Sequence, residues 1–431
     1  MLHLIRTFAF STSITIASVA AFAQVASADT GNVIFFHPDG AGVNHWNAAR
    51  LHIVGPDGEL NWDRLPAIGV YTGHMSDRVT SSSHGGATVH SRGVKVQADS
   101  FGMDGMNTIT SASGVEQSIA QEAIAAGKAV ALVQSGHIGE PGTAAFVSES
   151  ESRREVDYIA RQVIESGAQV ILGGGESYLL PDGVQGRHGF GSRSDGVNLI
   201  DRAEALGYTI IYDRDEMIAL NLNETEKLLG VFASNHTFNA NPIGDNLANA
   251  LSPYQATAPS VAEMTTVALE IISRDPEGFF AVIEEEGTDN FPNNMNAPGA
   301  LEALTRANAA FGVLLEFVDV RDDTLLITAA DSDAGGLQVV ATDEIGAFLH
   351  GQYGLDTEVF LAKPDAQGRE LPFALGFVAD GGDVAGGILV RGAGFNSDLI
   401  APLMDNTDVY KIMHATLFGT QFGGYDGKKR D

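Results

Sequence analysis

The sequence predicts an α/β fold in which helices cover both faces of a mostly parallel sheet. Short runs rich in Val, Ile and Phe recur along the chain and alternate with helical patterns, and most of these runs are apolar throughout. Strands buried on both faces have this composition, and alternation with helices favours parallel pairing. With 431 residues, of which 44% are hydrophobic, the chain can bury a substantial core.

The predicted elements follow one another along the whole chain. The strands are predicted at 32–36, 129–134, 169–172, 279–283, 324–328 and 387–391. The helices are predicted at 115–126, 152–166, 260–274, 299–318 and 408–417. Ser260 is predicted to cap its helix because Glu263 follows three residues later, which is the spacing of a capping box.

We expect one large domain from residue 29 to residue 431. The sequence contains no Pro- or Ser-rich linker and no repeat of fixed period, so its length is attributed to insertions carried by loops. These insertions are predicted at about 181–198, 235–258 and 341–372. The last of them is expected to form a small cap or an extra sheet.

The first 28 residues have the pattern of an export signal. Arg6 stands in a short basic start, an apolar run covers 7–21, and small residues suited to cleavage end at Ala23 and Ala28. No later stretch approaches the roughly 20 apolar residues of a transmembrane helix. The mature protein is therefore expected to be soluble and periplasmic or secreted.

The charge and the cysteine count exclude several classes of function. There are 25 Lys and Arg residues against 55 Asp and Glu residues, which gives a net charge of −30. Such a chain is repelled by nucleic acid and by anionic membrane surfaces, so neither is expected as a partner. The absence of cysteine excludes disulfides, Cys-ligated zinc, iron–sulfur clusters and thiol nucleophiles. Any bound metal must have oxygen or nitrogen ligands.

Acidic residues follow three of the predicted strands directly. Asp39 follows the first strand, an acidic run at 284–289 follows the fourth, and Asp331 and Asp333 follow the fifth. Ligands collect at the carboxyl ends of the strands in open α/β sheets. Three carboxylate clusters at one edge would repel one another without cations, so the sequence favours a site with several metal ions, as used in phosphoryl displacement.

A run of hydroxyl and small residues at 79–88 precedes a helical pattern that ends near Gly93. A serine at the start of a helix lies at the positive end of the helix dipole, where phosphate also binds well. This run is therefore the predicted source of a nucleophile.

Taken in order, these motifs resemble the alkaline phosphatase family of metal-dependent phosphomonoesterases, from about Gly31 to Gly419. The family's Gly-Asp-Gly-x-Gly loop is similar to 38–42, and its nucleophile segment is similar to 82–89 followed by 92–95. The resemblance implies the family's three-layer sandwich, with helices on both faces of the sheet.

The resemblance also implies roles for individual residues. Ser83 would be the nucleophile, and Arg153 would clamp the phosphate, with Arg154 close enough to compete. The metal ligands carried over by position are Asp39, Glu140, Glu284, Asp289 and Asp331, of which Glu140 and Glu284 would hold the third ion.

The chain departs from the family at its three zinc histidines. The corresponding residues are Asn293, Ser332 and, as the substitute that we expect, Asp383. Oxygen ligands favour Mg²⁺, Ca²⁺ or Mn²⁺, whereas imidazole favours zinc, so the family's Mg²⁺ and Zn²⁺ are expected here alongside Ca²⁺ or Mn²⁺ as alternatives.

Three further histidines, His37, His84 and His137, are expected near the crevice, where they could replace a lost ligand from another direction. Among them we expect His84, beside Ser83, to orient phosphate or to assist proton transfer.

The sequence therefore predicts an exported phosphatase that hydrolyses small phosphate monoesters through a phosphoserine intermediate. The alternatives are a phosphodiesterase or sulfatase of the same superfamily, or a catalytically weakened protein that binds metal or phosphate. A homodimer is implied by the resemblance alone.

Overall fold

The structure is a computed structural model, and it describes residues 30–342, 358–379 and 381–422. The predicted export signal at 1–28 lies outside the described residues, as do residues 343–357 of the third predicted insertion.

Fifteen strands are present in the part of the chain that the structure describes. They are β1 Asn32–Pro38, β2 Ala67–Thr72, β3 Ala129–His137, β4 Val170–Gly174, β5 Thr209–Ile211, β6 Leu228–Val231, β7 Phe279–Glu285, β8 Thr324–Thr328, β9 Asp333–Ala334, β10 Gln338–Ala341, β11 Val359–Leu361, β12 Pro372–Gly376, β13 Asp383–Val384, β14 Ile388–Gly394 and β15 Leu403–Asp405.

Ten of these strands form one large sheet, in the order β15-β2-β14-β8-β1-β7-β3-β4-β6-β5. Within this sheet β14 runs antiparallel to β2 and β8, and the other neighbouring strands pair in parallel. The long central strands β1, β3 and β7 are buried along their whole length. This confirms the predicted mostly parallel sheet, since strands covered on both faces read as continuous apolar runs.

Twelve α-helices are assigned within the described ranges. They are α1 Val43–Ile53, α2 Ser83–Arg92, α3 Ile119–Ala125, α4 Pro141–Ala144, α5 Val156–Glu165, α6 Leu199–Ala205, α7 Arg214–Ile218, α8 Ile243–Ala248, α9 Val261–Ile272, α10 Gly287–Asn293, α11 Ala297–Asp319 and α12 Asn406–Phe418.

Alternate residues of β1 belong to two separate cores, which defines three layers. Val33 and Phe35 pack with residues of α3, α5, α6 and α12 on one face of the sheet. Ile34 and Phe36 pack with residues of α1, α9 and α11 on the other face. The predicted fold class, a sheet with helices on both faces, is therefore confirmed.

Most predicted elements lie within a few residues of the observed ones, and the ends differ for local reasons. The helix predicted at 115–126 begins at Ile119, because Ser118 and Gln121 form a capping box that starts it there. The capping box predicted for Ser260 and Glu263 is confirmed. The strand predicted at 279–283 extends through Glu285, so part of the acidic run belongs to the sheet.

The predicted insertions differ in structure. Residues 181–198 form a loop with isolated bridges, and 235–258 contains the short helix α8. The third insertion contributes to a small antiparallel sheet of β10, β12 and β11, so the expected extra sheet is present in its described part. No helix among the described residues is long and apolar enough to cross a membrane.

Candidate active site

Three neighbouring strands of the large sheet end at the same place. β1 lies between β7 and β8 and is parallel to both. The chain leaves β1 through Asp39 and Gly40, and Gly40 has a φ of 62°, which lets the turn close tightly. A Cβ atom on Gly40 would lie 2.4 Å from the Cβ atom of Ala334, so the turn packs directly against the segment after β8. The side chains that follow the three strands therefore meet at one edge.

The carboxylates at this edge are buried together, as the three acidic clusters predicted. Asp39 and Glu284 are 0% exposed, Asp331 is 1% exposed and Asp289 is 8% exposed. No hydrogen-bond donor among the described residues reaches either oxygen of Glu284 or of Asp331. Burial, and next the charge of Asp39, raises the pKa of Glu284 to about 8 and that of Asp331 well above its ordinary value. Buried carboxylates without donors fit divalent cations, which would compensate their charge.

His37, at the end of β1, faces two of these carboxylates. Its Nε2 atom lies 3.2 Å from Oδ1 of Asp39 and 3.9 Å from Oδ1 of Asp331, and the three groups could hold one metal ion. Burial opposes the charged form of His37, but Asp39 and Asp331 outweigh it and raise its pKa to about 10. Burial also opposes the charged form of Asp39, but His37 outweighs it and lowers the pKa of Asp39 to about 2.

Glu286 belongs to the site, although the sequence did not single it out. It lies just before α10, is 2% exposed, and could hold an ion together with Asp39 and Asp289. Burial, and then the charges of Glu140 and Glu284, raise its pKa well above the ordinary value. The signal that could have identified it is the spacing of three residues to Asp289, which places both side chains on one side of a helical turn.

Glu285, the second residue of the acidic run, has a different environment. Its Oε1 atom accepts hydrogen bonds of 2.6 Å from the hydroxyls of Ser135 and Tyr254. Because successive side chains of a strand point to opposite sides, Glu284 and Glu285 are directed apart. Glu285 thus has its own hydrogen-bond partners, whereas neither oxygen of Glu284 has a donor in the described structure.

The structure brings together the residues predicted for the other end of the site. The Nδ2 atom of Asn293 lies 3.0 Å from both carboxylate oxygens of Asp289 and 3.1 Å from Oδ1 of Asp383. Its Oδ1 atom accepts a hydrogen bond from the backbone N–H of Gly335. Burial and then Asp39 raise the pKa of Asp383, while the nearby Asn293, Asp289 and Ser332 side chains oppose this. The Asn293 amide therefore lies between two acidic groups, in a position that a cation could also take.

Ser83 is the first residue of α2 and is 5% exposed. Ser82 caps the helix: its Oγ atom accepts from the backbone N–H of Gly85 and donates to the carbonyl of Ala98. A Cβ atom on Gly86 would lie 2.2 Å from the Cβ atom of Asp331, so the first turn of α2 packs against the carboxylate cluster. The predicted nucleophile thus lies at a helix N-terminus beside the buried acids.

His84 and Arg153 are the other two predicted catalytic residues, and they are near each other. Burial, and next the charge of Arg153, lower the pKa of His84 to about 4, so its imidazole is neutral at neutral pH. The Nη2 atom of Arg153 lies 2.9 Å from Oε2 of Glu140. Burial lowers the pKa of Arg153, but Glu140, followed by Glu286, outweighs this and raises it. Both arginines are exposed, and Arg153 is the one whose guanidinium forms an ion pair with Glu140.

Glu140 has imidazole neighbours as well. Its Oε1 atom lies 3.0 Å from Nε2 of His137 and 3.7 Å from Nε2 of His236, and these groups form a further cluster that could hold a metal. Glu284, the residue with which Glu140 was expected to share an ion, is not in this cluster. His236 was missed because nothing in its local sequence marks it. His137 was expected near the crevice and lies there.

Gly142 explains how Glu284 fits at the site. A Cβ atom at this position would lie only 1.7 Å from Oε1 of Glu284. The glycine therefore provides the space that the buried Glu284 carboxylate occupies.

Comparison with known proteins identifies similar sequences. The family model described as Alkaline phosphatase matches residues 30–367. The chain is 26% identical to a membrane-bound alkaline phosphatase of Bombyx mori over 347 residues, which are 72% of this chain and 61% of that protein. It is 27% identical to the tissue-nonspecific alkaline phosphatase of Gallus gallus over 339 residues, 70% of this chain and 63% of that protein. The match thus spans about three fifths of the length of these relatives.

A bacterial relative is matched over more of its length. Alkaline phosphatase 4 of Bacillus subtilis is 27% identical over 359 residues, which are 79% of this chain and 70% of that protein.

Solved structures of similar fold cover most of the chain. An alkaline phosphatase from the Antarctic bacterium TAB5 has a TM-score of 0.69 at 19% identity and covers 91% of this chain and 100% of its own. The alkaline phosphatase of Thermus thermophilus has a TM-score of 0.70 at 22% identity and covers 91% of this chain and 92% of its own. A histidine-to-glutamate variant of the TAB5 protein, described with Mg bound in its M3 site, has a TM-score of 0.68 at 19% identity, with 91% and 99% covered. At identities of 19% to 22%, this similarity shows that the fold is shared.

Proposed function

The chain belongs to the alkaline phosphatase family, whose model matches most of its length, and from this premise we propose that it is a metal-dependent phosphomonoesterase with Ser83 as nucleophile. The observation that carries the proposal is the position of Ser83. Ser83 begins α2, and the first turn of this helix packs against the buried carboxylates, since a Cβ atom on Gly86 would lie 2.2 Å from the Cβ atom of Asp331. A buried hydroxyl beside a cation-binding carboxylate, at the positive end of a helix, is suited to attack on phosphorus.

In the proposed reaction, Oγ of Ser83 forms a bond to phosphorus as the bond from phosphorus to the alcohol oxygen of the ester breaks. Solvent takes the proton of the Ser83 hydroxyl and supplies one to the departing alcohol oxygen. Water then attacks the phosphorus of the phosphoserine, the bond from phosphorus to Oγ breaks, and Oγ takes up a proton as inorganic phosphate is released. Cations held by the carboxylates would neutralise the charge that develops on the entering and leaving oxygens.

The remaining residues would hold the phosphoryl group and the ions. Arg153 can donate two parallel hydrogen bonds to phosphate oxygens, which suits a planar guanidinium better than an ammonium group. His84 is neutral because of its low pKa, so it can donate one hydrogen bond without adding charge.

The ion ligands are proposed as three sets. Asp39 and Asp331 would hold an ion next to Ser83, together with Ser332 at the edge of this set. Asp289 and Asp383 would hold a second ion, and Asn293 would join them by turning its amide, since its Nδ2 atom faces both carboxylates and its Oδ1 atom accepts from the Gly335 N–H. Glu140 and Glu284 are proposed for a third ion, Mg²⁺, and the Mg reported at the M3 site of a glutamate-bearing TAB5 variant supports this choice.

We also propose that the protein is exported by way of residues 1–28, and that its substrates are small phosphate monoesters. A homodimer is proposed from the family alone. With a net charge of −30, the protein surface as a whole repels anions. Phosphate esters would therefore be held locally, by the bound cations and by Arg153.

The proposal is tested by comparing p-nitrophenyl phosphate, bis(p-nitrophenyl) phosphate and p-nitrophenyl sulfate as substrates. We expect the monoester to be hydrolysed fastest and Ser83→Ala to lose this activity while keeping its metal content. Ser91→Ala is the matched control, because Ser91 is a buried serine of the same helix whose hydroxyl donates to the carbonyls of Thr88 and Ala145.

Three other results would overturn the assignment. Faster hydrolysis of the diester or of the sulfate would favour the related hydrolases. Tight phosphate binding without turnover in the metal-loaded protein would favour a binding protein. Full activity of Ser83→Ala would exclude Ser83 as the nucleophile.

A further inference from the structure

We infer that His37 is a metal ligand, and that its Nε2 atom binds the same ion as Asp39 and Asp331. This inference adds a ligand to the site of the proposed function. It depends on that proposal in one respect, which is that both place a cation beside Ser83. It assigns an imidazole to a site that the motifs alone present as entirely oxygen-based.

The tautomer of His37 is fixed by the hydrogen bond of its Nδ1 atom. Its Nδ1 atom lies 2.9 Å from the carbonyl oxygen of Ala329. A carbonyl oxygen can only accept a hydrogen bond, so Nδ1 carries the proton. The Nε2 atom of the neutral ring then has a free lone pair, and this is the arrangement of histidines that bind metal through Nε2.

The Nε2 atom of His37 faces two carboxylates. It is buried and has no hydrogen-bond partner of good geometry in the described structure, although Oδ1 of Asp39 is 3.2 Å away and Oδ1 of Asp331 is 3.9 Å away. A lone pair directed at two carboxylates is repulsive unless a positive charge lies between them. Bonds of about 2.0–2.2 Å from tetrahedral zinc to nitrogen and oxygen separate the ligand atoms by about 3.4 Å, which is close to both observed distances.

A proton on Nε2 could also supply positive charge, but it would leave Asp331 without a partner. Neither oxygen of Asp331 has a donor among the described residues, and Asp331 is 1% exposed. One divalent ion compensates both carboxylates and the lone pair at once. The donor set therefore fits an ion better than a proton.

Neighbouring groups hold the His37 ring with its Nε2 atom toward the two carboxylates. Ala329 follows β8, two residues before Asp331, so one segment supplies both the carbonyl that orients His37 and a carboxylate that shares its ion. The His37 ring stacks on Phe35, with centroids 5.8 Å apart, and contacts the edge of His90. Ring orientation fixed by an outer hydrogen bond is a general property of metal-binding histidines.

The donor atoms at this site also bear on the identity of the metal. His37, Asp39 and Asp331 form a mixed nitrogen and oxygen set, which suits Zn²⁺ or Co²⁺. Asp39, Glu286 and Asp289 form a set of oxygens alone, which suits Mg²⁺ or Mn²⁺. The protein should therefore take one zinc-class ion next to Ser83 even though the three expected zinc histidines are absent.

The test is zinc binding by the full chain, measured by competition with a chelator and by metal content. His37→Gln should weaken the binding of one zinc ion at least about tenfold, since even outer partners of metal-binding histidines contribute that much. His52→Gln is the control, because His52 lies at the surface of α1 and is half-buried. Unchanged zinc affinity in a folded His37→Gln protein would overturn the inference.

Anomalous scattering at the zinc edge from crystals of the unmodified protein gives a second test that needs no variant. We expect a peak about 2.1 Å from Nε2 of His37. A zinc peak elsewhere, or none within bonding distance of His37, would contradict the inference even if His37→Gln did not fold. Neither measurement uses turnover, so a failure of the phosphatase assay and a failure of this inference can be told apart.

Discussion

Gly142 and Glu284 occupy the same small space at the candidate active site. A side-chain carbon on Gly142 would lie 1.7 Å from Oε1 of Glu284, a distance that no pair of atoms without a bond can adopt. The buried carboxylate is thus accommodated because position 142 has no side chain.

The first prediction concerns this pair. Gly142→Ala should lower the free energy of unfolding by about 1–3 kcal/mol, because Glu284 must move within a packed interior. The change should also reduce the Mg²⁺ bound by the protein. Thermal unfolding and metal content measure both effects. Gly244→Ala is the control, since a Cβ atom there meets nothing within 4 Å. Equal stability of the two variants would contradict the packing argument.

The second prediction concerns pH and metal removal. Burial raises the pKa of Glu284 from 4.5 to about 8, and it raises those of Glu286 and Asp331 well above their ordinary values. Groups with raised pKa values bind more protons in the folded state, so their stabilising effect is complete below the unfolded-state pKa and is lost as the pH rises through the folded-state value.

The EDTA-treated protein should therefore lose thermal stability steadily as the pH rises from about 5 to about 8. The protein loaded with divalent ions should not, because the cations replace the protons as compensating charge. Calorimetry of both forms over this range is the measurement. Two curves that run parallel would show that the carboxylates do not bind the added ions.

The third prediction concerns the two adjacent arginines. Both side chains are exposed, but the Nη2 atom of Arg153 lies 2.9 Å from Oε2 of Glu140, which holds this guanidinium at the site. Arg153→Ala should raise the inhibition constant of inorganic phosphate about ten- to a hundredfold, as expected when a charged hydrogen-bond donor is lost. Arg154→Ala should change it little. The reverse order would assign the clamp to Arg154.

The fourth prediction concerns Asn293. Its amide lies between Asp289 and Asp383, at 3.0 Å and 3.1 Å from their oxygens. Asn293→His adds an imidazole to two carboxylates and should shift the preference of this site from Mg²⁺ toward Zn²⁺. Competition between the two ions, followed by metal content, measures the shift. If the ratio of bound ions did not change, Asn293 would not adjoin a metal.

The sequence predicted those parts of the fold whose signal is local. β1, β3 and β7 are apolar runs because both faces of the sheet are covered, and this pattern is readable without a structure. β2 was not predicted, because it lies near the edge of the sheet and leaves Ile68 and Val70 exposed. Strands at an edge lack the continuous burial that makes a run recognisable.

At the candidate active site, too, only the features with a local sequence signal could be predicted. The start of α2 at Ser83 could be predicted because a run of hydroxyls precedes the helix and Gly93 ends it, with a φ of 70°. The orientation of His37 could not be predicted, because it depends on the backbone carbonyl of Ala329, which is 292 residues away in the sequence. Likewise, the contact of His236 with Glu140 arises from the folding of a loop whose sequence carries no motif.

The proposed mechanism requires Ser83 to form a covalent bond to phosphorus. The decisive measurement is to quench the metal-loaded protein in acid during turnover of p-nitrophenyl phosphate and to map covalent phosphate by mass spectrometry. Acid conditions preserve a phosphoserine, so we expect phosphate on the peptide that contains Ser83 and none in Ser83→Ala. Turnover with no phosphate on this peptide, or phosphate on another residue, would contradict the proposed mechanism.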